Sequence, residues 1–97
     1  MPYLIETTDN ANGSAIRQAQ RPAHLQFLRD NATLLLACGA KLNSQGQTTG
    51  TLYLLNVETE QEALHFLSQD PYSKADLAAE VRTSYWRVAV LDGKARV

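Results

Sequence analysis

The chain has 97 residues, 44% hydrophobic and 20% charged, with nine basic and ten acidic side chains for a formal net charge of -1. That length serves one domain, residues 1–97, and the apolar content excludes a disordered chain. With no basic stripe, nucleic acid is excluded as the expected partner, and the longest apolar run, Leu34-Leu35-Leu36-Ala37-Cys38, falls far short of the ~20 residues that span a bilayer.

Residues 2–8 read as a first strand, with Tyr3, Ile5 and Thr7 on one face and Leu4, Glu6 and Thr8 on the other. The cluster Asp9-Asn10-Ala11-Asn12-Gly13 is a turn signal. Residues 14–31 have helical character but contain Pro22, which fits a first turn and disrupts an interior. The expectation is a kink, or a short leading turn over residues 14–20 with the main helix from Arg21. Residues 33–40 are apolar on both faces and predict a buried strand. Residues 41–50, with Asn43, Ser44, Gly46 and Gly50, predict a loop. The strand over residues 51–57 sets Leu52 and Leu54 against Tyr53, Leu55 and Val57, so it too is apolar on both faces. Thr59-Glu60-Gln61-Glu62 is a capping box, in which the Thr hydroxyl and the Glu carboxylate each satisfy a free backbone N–H. It opens a helix that buries Ala63, Phe66 and Leu67, runs to about Gln69 and is stopped by Pro71. Residues 73–76 suit one more helical turn. Residues 82–91 predict the last strand, with Trp86, Val88 and Val90 on one face, and Asp92-Gly93-Lys94 forms a polar tail.

The order βαββαβ is the ferredoxin-like pattern of an α+β domain: a four-stranded antiparallel sheet with two main helices on one face. Two helices cover one face, yet the second and third strands are apolar on both. Leaving even four leucine-sized side chains uncovered forfeits about 6–12 kcal/mol, as large as the whole stability of a small domain. The expected solution is a homodimer with the open sheet faces packed together.

Two segments carry chemistry. His24, Phe27 and Leu28 are helical neighbours at i, i+3 and i+4, so the histidine borders the apolar stripe. Asp70 follows a helix C-terminus, where the dipole disfavours an anion, so it is either freely exposed or paired with a cation. By pattern alone the ordinary roles are commoner: a half-buried core histidine, a turn initiator before Pro71, and a small buried hydrophobe for Cys38. His65, beside Gln61, Glu62 and Gln69, is expected to face solvent, and Tyr85 and Trp86 to serve packing. Two histidines in unrelated segments, with no cysteine cluster, imply no metal site, and Gly46 and Gly50 lack the Lys-Ser/Thr of a phosphate loop. No cofactor is implied. The chain start carries no secretory pattern and one cysteine allows no intrachain disulfide, so a cytoplasmic protein is expected.

Arg21-Pro22-x-His24-x-x-x-Leu28, followed far downstream by Asp70-Pro71-Tyr72-x-Lys74-Ala75, resembles the YciI-like (YCII-related) proteins, and the similarity runs from the first strand to the last. The loop from Gly39 to Gly50 and Trp86 also fit. The resemblance implies a ferredoxin-like fold, a dimeric α/β barrel, and a His–Asp pair lining a pocket, with those roles falling on His24 and Asp70. Most such proteins have no assigned reaction. One relative eliminates chloride from a muconolactone in chloroaromatic breakdown, and muconolactone isomerases share the broader fold. Three positions depart from the pattern: Asp76 where glycine is common, Ala40 for a frequent proline, and Ser84-Tyr85 before Trp86 where Arg-Pro is common. Asp76 adds a negative charge close to Asp70 and bears on ligand preference more than on fold.

Three roles remain open for the pair. In the first, Asp70 accepts a hydrogen bond from one ring nitrogen of His24 and the other nitrogen exchanges a proton with a small organic substrate, as in a cofactor-independent lyase or isomerase. Imidazole titrates near ~6.5 and suits this work at neutral pH. Arg21, one turn before His24, would bind a substrate carboxylate, with Tyr72 as a further substrate contact. In the second, the protein is a non-catalytic binder of a small metabolite or an accessory protein. In the third, the pair is a buried structural hydrogen bond. The first two require a pocket open at His24, and the third encloses both side chains.

Overall fold

The computed structural model describes residues 2–97. Its elements run β1 (Tyr3–Asp9), α1 (Gly13–Asp30), β2 (Leu35–Leu42), β3 (Thr48–Leu55), α2 (Glu60–Gln69), α3 (Pro71–Lys74), β4 (Ala78–Tyr85), β5 (Val90–Leu91) and β6 (Lys94–Ala95). The first four strands in the order β2-β3-β1-β4 form one sheet, with every neighbouring pair antiparallel. This is the ferredoxin-like α+β arrangement, with β1 and β3 central.

The sheet register sorts side chains onto two faces, because residues opposite one another on neighbouring strands point the same way. Ile5 lies opposite Tyr53 and Thr83, and Tyr53 opposite Cys38. This face meets the helices: Ile5, Tyr53 and Leu55 pack with Ala63, Phe66 and Leu67 of α2, and Phe27 and Leu28 of α1 lean on the same cluster. α2 begins with half of its capping box: the Glu62 N–H donates to Thr59 Oγ1 at 3.1 Å, while the Glu62 carboxylate accepts from the Thr59 hydroxyl at 3.0 Å rather than from a backbone N–H.

The opposite face is more mixed than the alternation suggested. Leu52 and Leu36 are more than one-third exposed, but Leu54 is buried. Glu6, which shares this face with Leu52, takes a hydrogen bond from Lys41 Nζ at 3.1 Å. An ion pair therefore crosses the middle of the open face.

Several boundaries differ from the sequence reading. α1 runs unbroken through Pro22. The hydrogen bond that proline forgoes would have reached the Gln18 carbonyl, and both residues lie on the exposed side, where an unpaired carbonyl costs little. The loop expected over residues 41–50 shrinks to residues 43–47, because Asn43 Oδ1 accepts the N–H groups of Gln45 and Gln47 and Gly46 turns the chain at φ 79°. Gly50 lies within β3, where a Cβ would strike the Thr7 carbonyl oxygen. The last strand is Ala78–Tyr85, earlier than residues 82–91, since it pairs along β1 from Tyr3 opposite Tyr85 to Asp9 opposite Ala78. Trp86 and Val88 follow the strand, and the tail folds into the β5–β6 hairpin. Among the described residues, no helix is long and apolar enough to cross a membrane.

Candidate functional site

The α2–α3 junction, β3 and α1 meet at Asp70. Its backbone ends α2, and its side chain opens α3 by accepting the Tyr72 N–H at 2.9 Å on Oδ1, with Pro71 in the first helical position. The anion thus faces a helix start as well as a helix end. From β3, Tyr53 donates its hydroxyl to Oδ2 at 2.6 Å. From α1, His24 Nδ1 lies 2.8 Å from Oδ1 and 2.9 Å from Oδ2. Asp70 is fully buried and His24 is 6% exposed. A buried carboxylate is tolerated only when its lone pairs are filled, and here each oxygen has a fixed donor in addition to the imidazole. A carboxylate accepts only, so Nδ1 carries hydrogen in this network, by inference from its partners.

His24 and Asp70, expected as a pair, are in direct contact, and Asp70 is neither exposed nor unpaired. The imidazole also stacks on the Tyr72 ring, with centroids 3.9 Å apart and planes 14° from parallel. Tyr72 is buried and acts first as a shelf for the imidazole. Burial raises its phenol pKa, with Arg17 opposing. A pocket of about 220 Å³ opens beside His24, lined by Arg17, Arg21, His24, Leu28, Cys38, Thr51 and Tyr72 among others. The second ring nitrogen, Nε2, has no hydrogen-bond partner among the described residues, and no buried side-chain nitrogen or oxygen there lacks one. Nε2 is therefore reached by solvent. Arg21 is exposed at the pocket rim.

Arg17, Asp9 and Tyr53 escaped the sequence reading as site residues. Arg17 Nε and Nη2 donate to Asp9 at 2.6 and 3.0 Å, Nη2 also reaches Thr51 Oγ1 at 2.9 Å, and the guanidinium lies 5.0 Å from the Tyr72 ring centroid. Burial works against its charge, but the Asp9 hydrogen bond and charge outweigh burial and raise its pKa. The spacing Arg17, Arg21, His24, Leu28 follows one helical stripe and was a usable signal for Arg17. For Tyr53 the signal was its inward place on a strand, since a buried phenol needs a partner. Burial, then the negative charge of Asp70, pushes the Tyr53 hydroxyl pKa well up. The same two causes push the Cys38 thiol up to about 11, so it stays protonated at neutral pH.

Asp76 does not border this pocket. It is exposed, lines a separate depression with Leu64, Leu67 and Ser73, and has a left-handed backbone at φ 57°. Its carbonyl accepts a hydrogen bond from Asn10. A larger depression of about 540 Å³ between α1 and α2 is lined by Phe27, Leu34, Val57 and Phe66, but its titratable groups, Glu62 and His65, are exposed. Among the described residues no three His, Cys, Asp or Glu side chains gather as a metal site.

The profile of the YCII-related domain matches residues 1–87. The chain belongs to that family. No curated protein sequence matches this YCII-related chain significantly. Among solved structures, its fold is similar to that of 5-chloro-2-hydroxyhydroquinone dehydrochlorinase (TftG) from Burkholderia phenoliruptrix AC1100, determined in complex with 2,5-dihydroxybenzoquinone. The TM-score is 0.82 at 25% identity, covering 90% of this chain and 94% of that one. The YCII-related chain thus has the fold of a dimeric α/β barrel family, and one structural neighbour is an enzyme that acts on a small molecule.

Proposed function

We propose that this YCII-related protein is a cofactor-independent enzyme of lyase or isomerase type that moves a proton on a small organic substrate. The observation that carries the reading is the asymmetry of His24: Nδ1 is bound to a buried carboxylate, while Nε2 has no partner among the described residues and the residue lines a pocket. Asp70 orients the ring and balances the charge it gains, leaving Nε2 to exchange the proton. Arg21 binds an anionic oxygen of the substrate at the rim, and Tyr72 holds the imidazole from below. The pocket volume of about 220 Å³ suits a single-ring compound. The dehydrochlorinase, holding 2,5-dihydroxybenzoquinone, supports a ring-sized, oxygen-rich substrate. Two copies associate through the open sheet faces, where Leu36 and Leu52 remain exposed.

The test is a turnover screen of hydroxyquinones, lactones and keto acids with the wild-type protein and His24→Gln. A substrate turned over by the wild type should lose about 10²–10⁴-fold in rate with the variant. Equal turnover in both proteins would refute the assignment. Saturable binding with no turnover of any compound would favour a metabolite-binding role for the same pocket.

A further inference from the structure

We propose that Tyr53 is a positioning residue for the His24–Asp70 pair, holding the carboxylate and sharing its charge so that His24 takes a proton before it gives one. The inference rests on the proton-transfer reading and adds its direction.

The carboxylate is pinned from both sides. Oδ1 accepts from the Tyr72 N–H at 2.9 Å and Oδ2 from the Tyr53 hydroxyl at 2.6 Å, with Nδ1 of His24 between them at 2.8 and 2.9 Å. The backbone donor is set by α3, so among the described residues Tyr53 is the one side chain besides His24 that hydrogen-bonds this carboxylate. A short O–H···O⁻ bond is charge-assisted and shares the negative charge of its acceptor. A carboxylate sharing its charge with a phenol attracts a proton to the imidazole less, so the ring stays neutral over more of the pH range. The titratable groups around the imidazole are Arg17 and Arg21 from its own helix, Asp70 and Tyr72 from the α2–α3 junction, Cys38 on β2 and Tyr53 on β3. Arg17 is matched by Asp9, and Cys38 holds its proton. The donor strength reaching Asp70 from the sheet is therefore set by Tyr53.

A neutral ring with hydrogen on Nδ1 presents a lone pair at Nε2. In the first step a C–H or O–H bond of the substrate breaks and its proton bonds to Nε2. The electron pair stays on the substrate as an enolate-type anion, which faces Arg21, while the imidazolium faces Asp70. In an elimination that electron pair then expels the leaving anion. In an isomerisation the imidazolium returns the proton to another atom.

The experiment follows the His24 ring by NMR across pH. Tyr53→Phe removes the hydroxyl and keeps the ring that meets Phe66 edge-on at 6.1 Å. The midpoint of the ring titration should rise by about half a pH unit or more. Phe66→Leu loosens the same packing, keeps the hydroxyl, and should leave the midpoint unchanged. In the wild type the Tyr53 hydroxyl proton should exchange slowly and show a through-space contact to the hydrogen on Nδ1, a readout that needs no variant to fold. An unmoved midpoint in Tyr53→Phe, an equal shift in Phe66→Leu, or fast exchange of that hydroxyl overturns the proposal. Failure of the enzymatic reading would appear separately, as turnover indifferent to His24→Gln while the Tyr53→Phe shift persists.

Discussion

Asp70→Asn keeps the shape of the buried junction and removes its charge. Asp70 now accepts from three donors: the Tyr72 N–H, the Tyr53 hydroxyl and His24 Nδ1. Hydrogen bonds to a charged group contribute ~1.5–3 kcal/mol each, and neutral ones ~0.5–1.5. An amide offers one acceptor oxygen and places two hydrogens where a carboxylate oxygen stood. At least one donor then faces another donor in a fully buried site. The expected loss is about 3–5 kcal/mol, the range for breaking a buried charged pair. Against a domain stability of ~5–15 kcal/mol that loss is a third of the total or more for most of the range. At ~4–8 °C per kcal/mol for a chain of this size, Tm falls by roughly 12–40 °C. Thermal unfolding followed by circular dichroism at neutral pH measures it, and urea unfolding with an unchanged m-value shows that both proteins unfold between equivalent states. A Tm within about 5 °C of wild type would refute the reasoning, because three donors cannot lose a charged, buried acceptor at so small a cost.

Alkaline pH gives a second check. Cys38 and Tyr53 both have folded pKa values above their ordinary ones, so the folded state holds their protons more tightly. The Cys38 contribution is complete below the ordinary thiol value of 9.0 and is lost as pH rises through about 11, whereas that of Tyr53 is complete below the ordinary phenol value of 10.0 and is still being lost above that window. Urea midpoints should therefore decline over that window, and Cys38→Ala should flatten the decline. A midpoint independent of pH there would contradict the burial of both groups. Gly50→Ala should cost about 3 kcal/mol or unfold the protein, because the new methyl meets the Thr7 carbonyl oxygen and the Lys41 stem. A normal melting curve would show that β1 and β3 are not held in the register of Thr8 opposite Gly50. Asp76→Gly should stabilise by about 1 kcal/mol, relieving a left-handed residue at φ 57°. Because Asp76 lies outside the pocket lining, ligand affinity measured by calorimetry should not change.

Local chemistry was legible in the chain. The capping box at Thr59, the stop at Pro71, the inward set Ala63, Phe66 and Leu67, and the place of His24 on an apolar stripe all follow from spacing and short-range hydrogen bonding. The order of elements carried the sheet topology with it, because four strands and two long helices in that sequence have few ways to pack. Local signals misled where a long-range partner overruled them. Gly50 looked like a loop residue but serves a close approach between strands, and the last strand took its length from β1.

The site was legible only in part. Resemblance joined His24 to Asp70 across 46 positions of sequence, and the contact itself depends on α1 continuing past Pro22. Tyr53 and Arg17 entered only with the sheet and helices assembled, since their partners lie 17 and 8 residues away on other elements. A sequence states which residues repeat with the period of a helix or a strand, and so which faces turn inward. It does not state which inward residues meet, because that distance is set by how the elements pack. Burial of the Asp70 carboxylate makes that meeting decisive, for a charge removed from water must find its donors wherever the fold brings them.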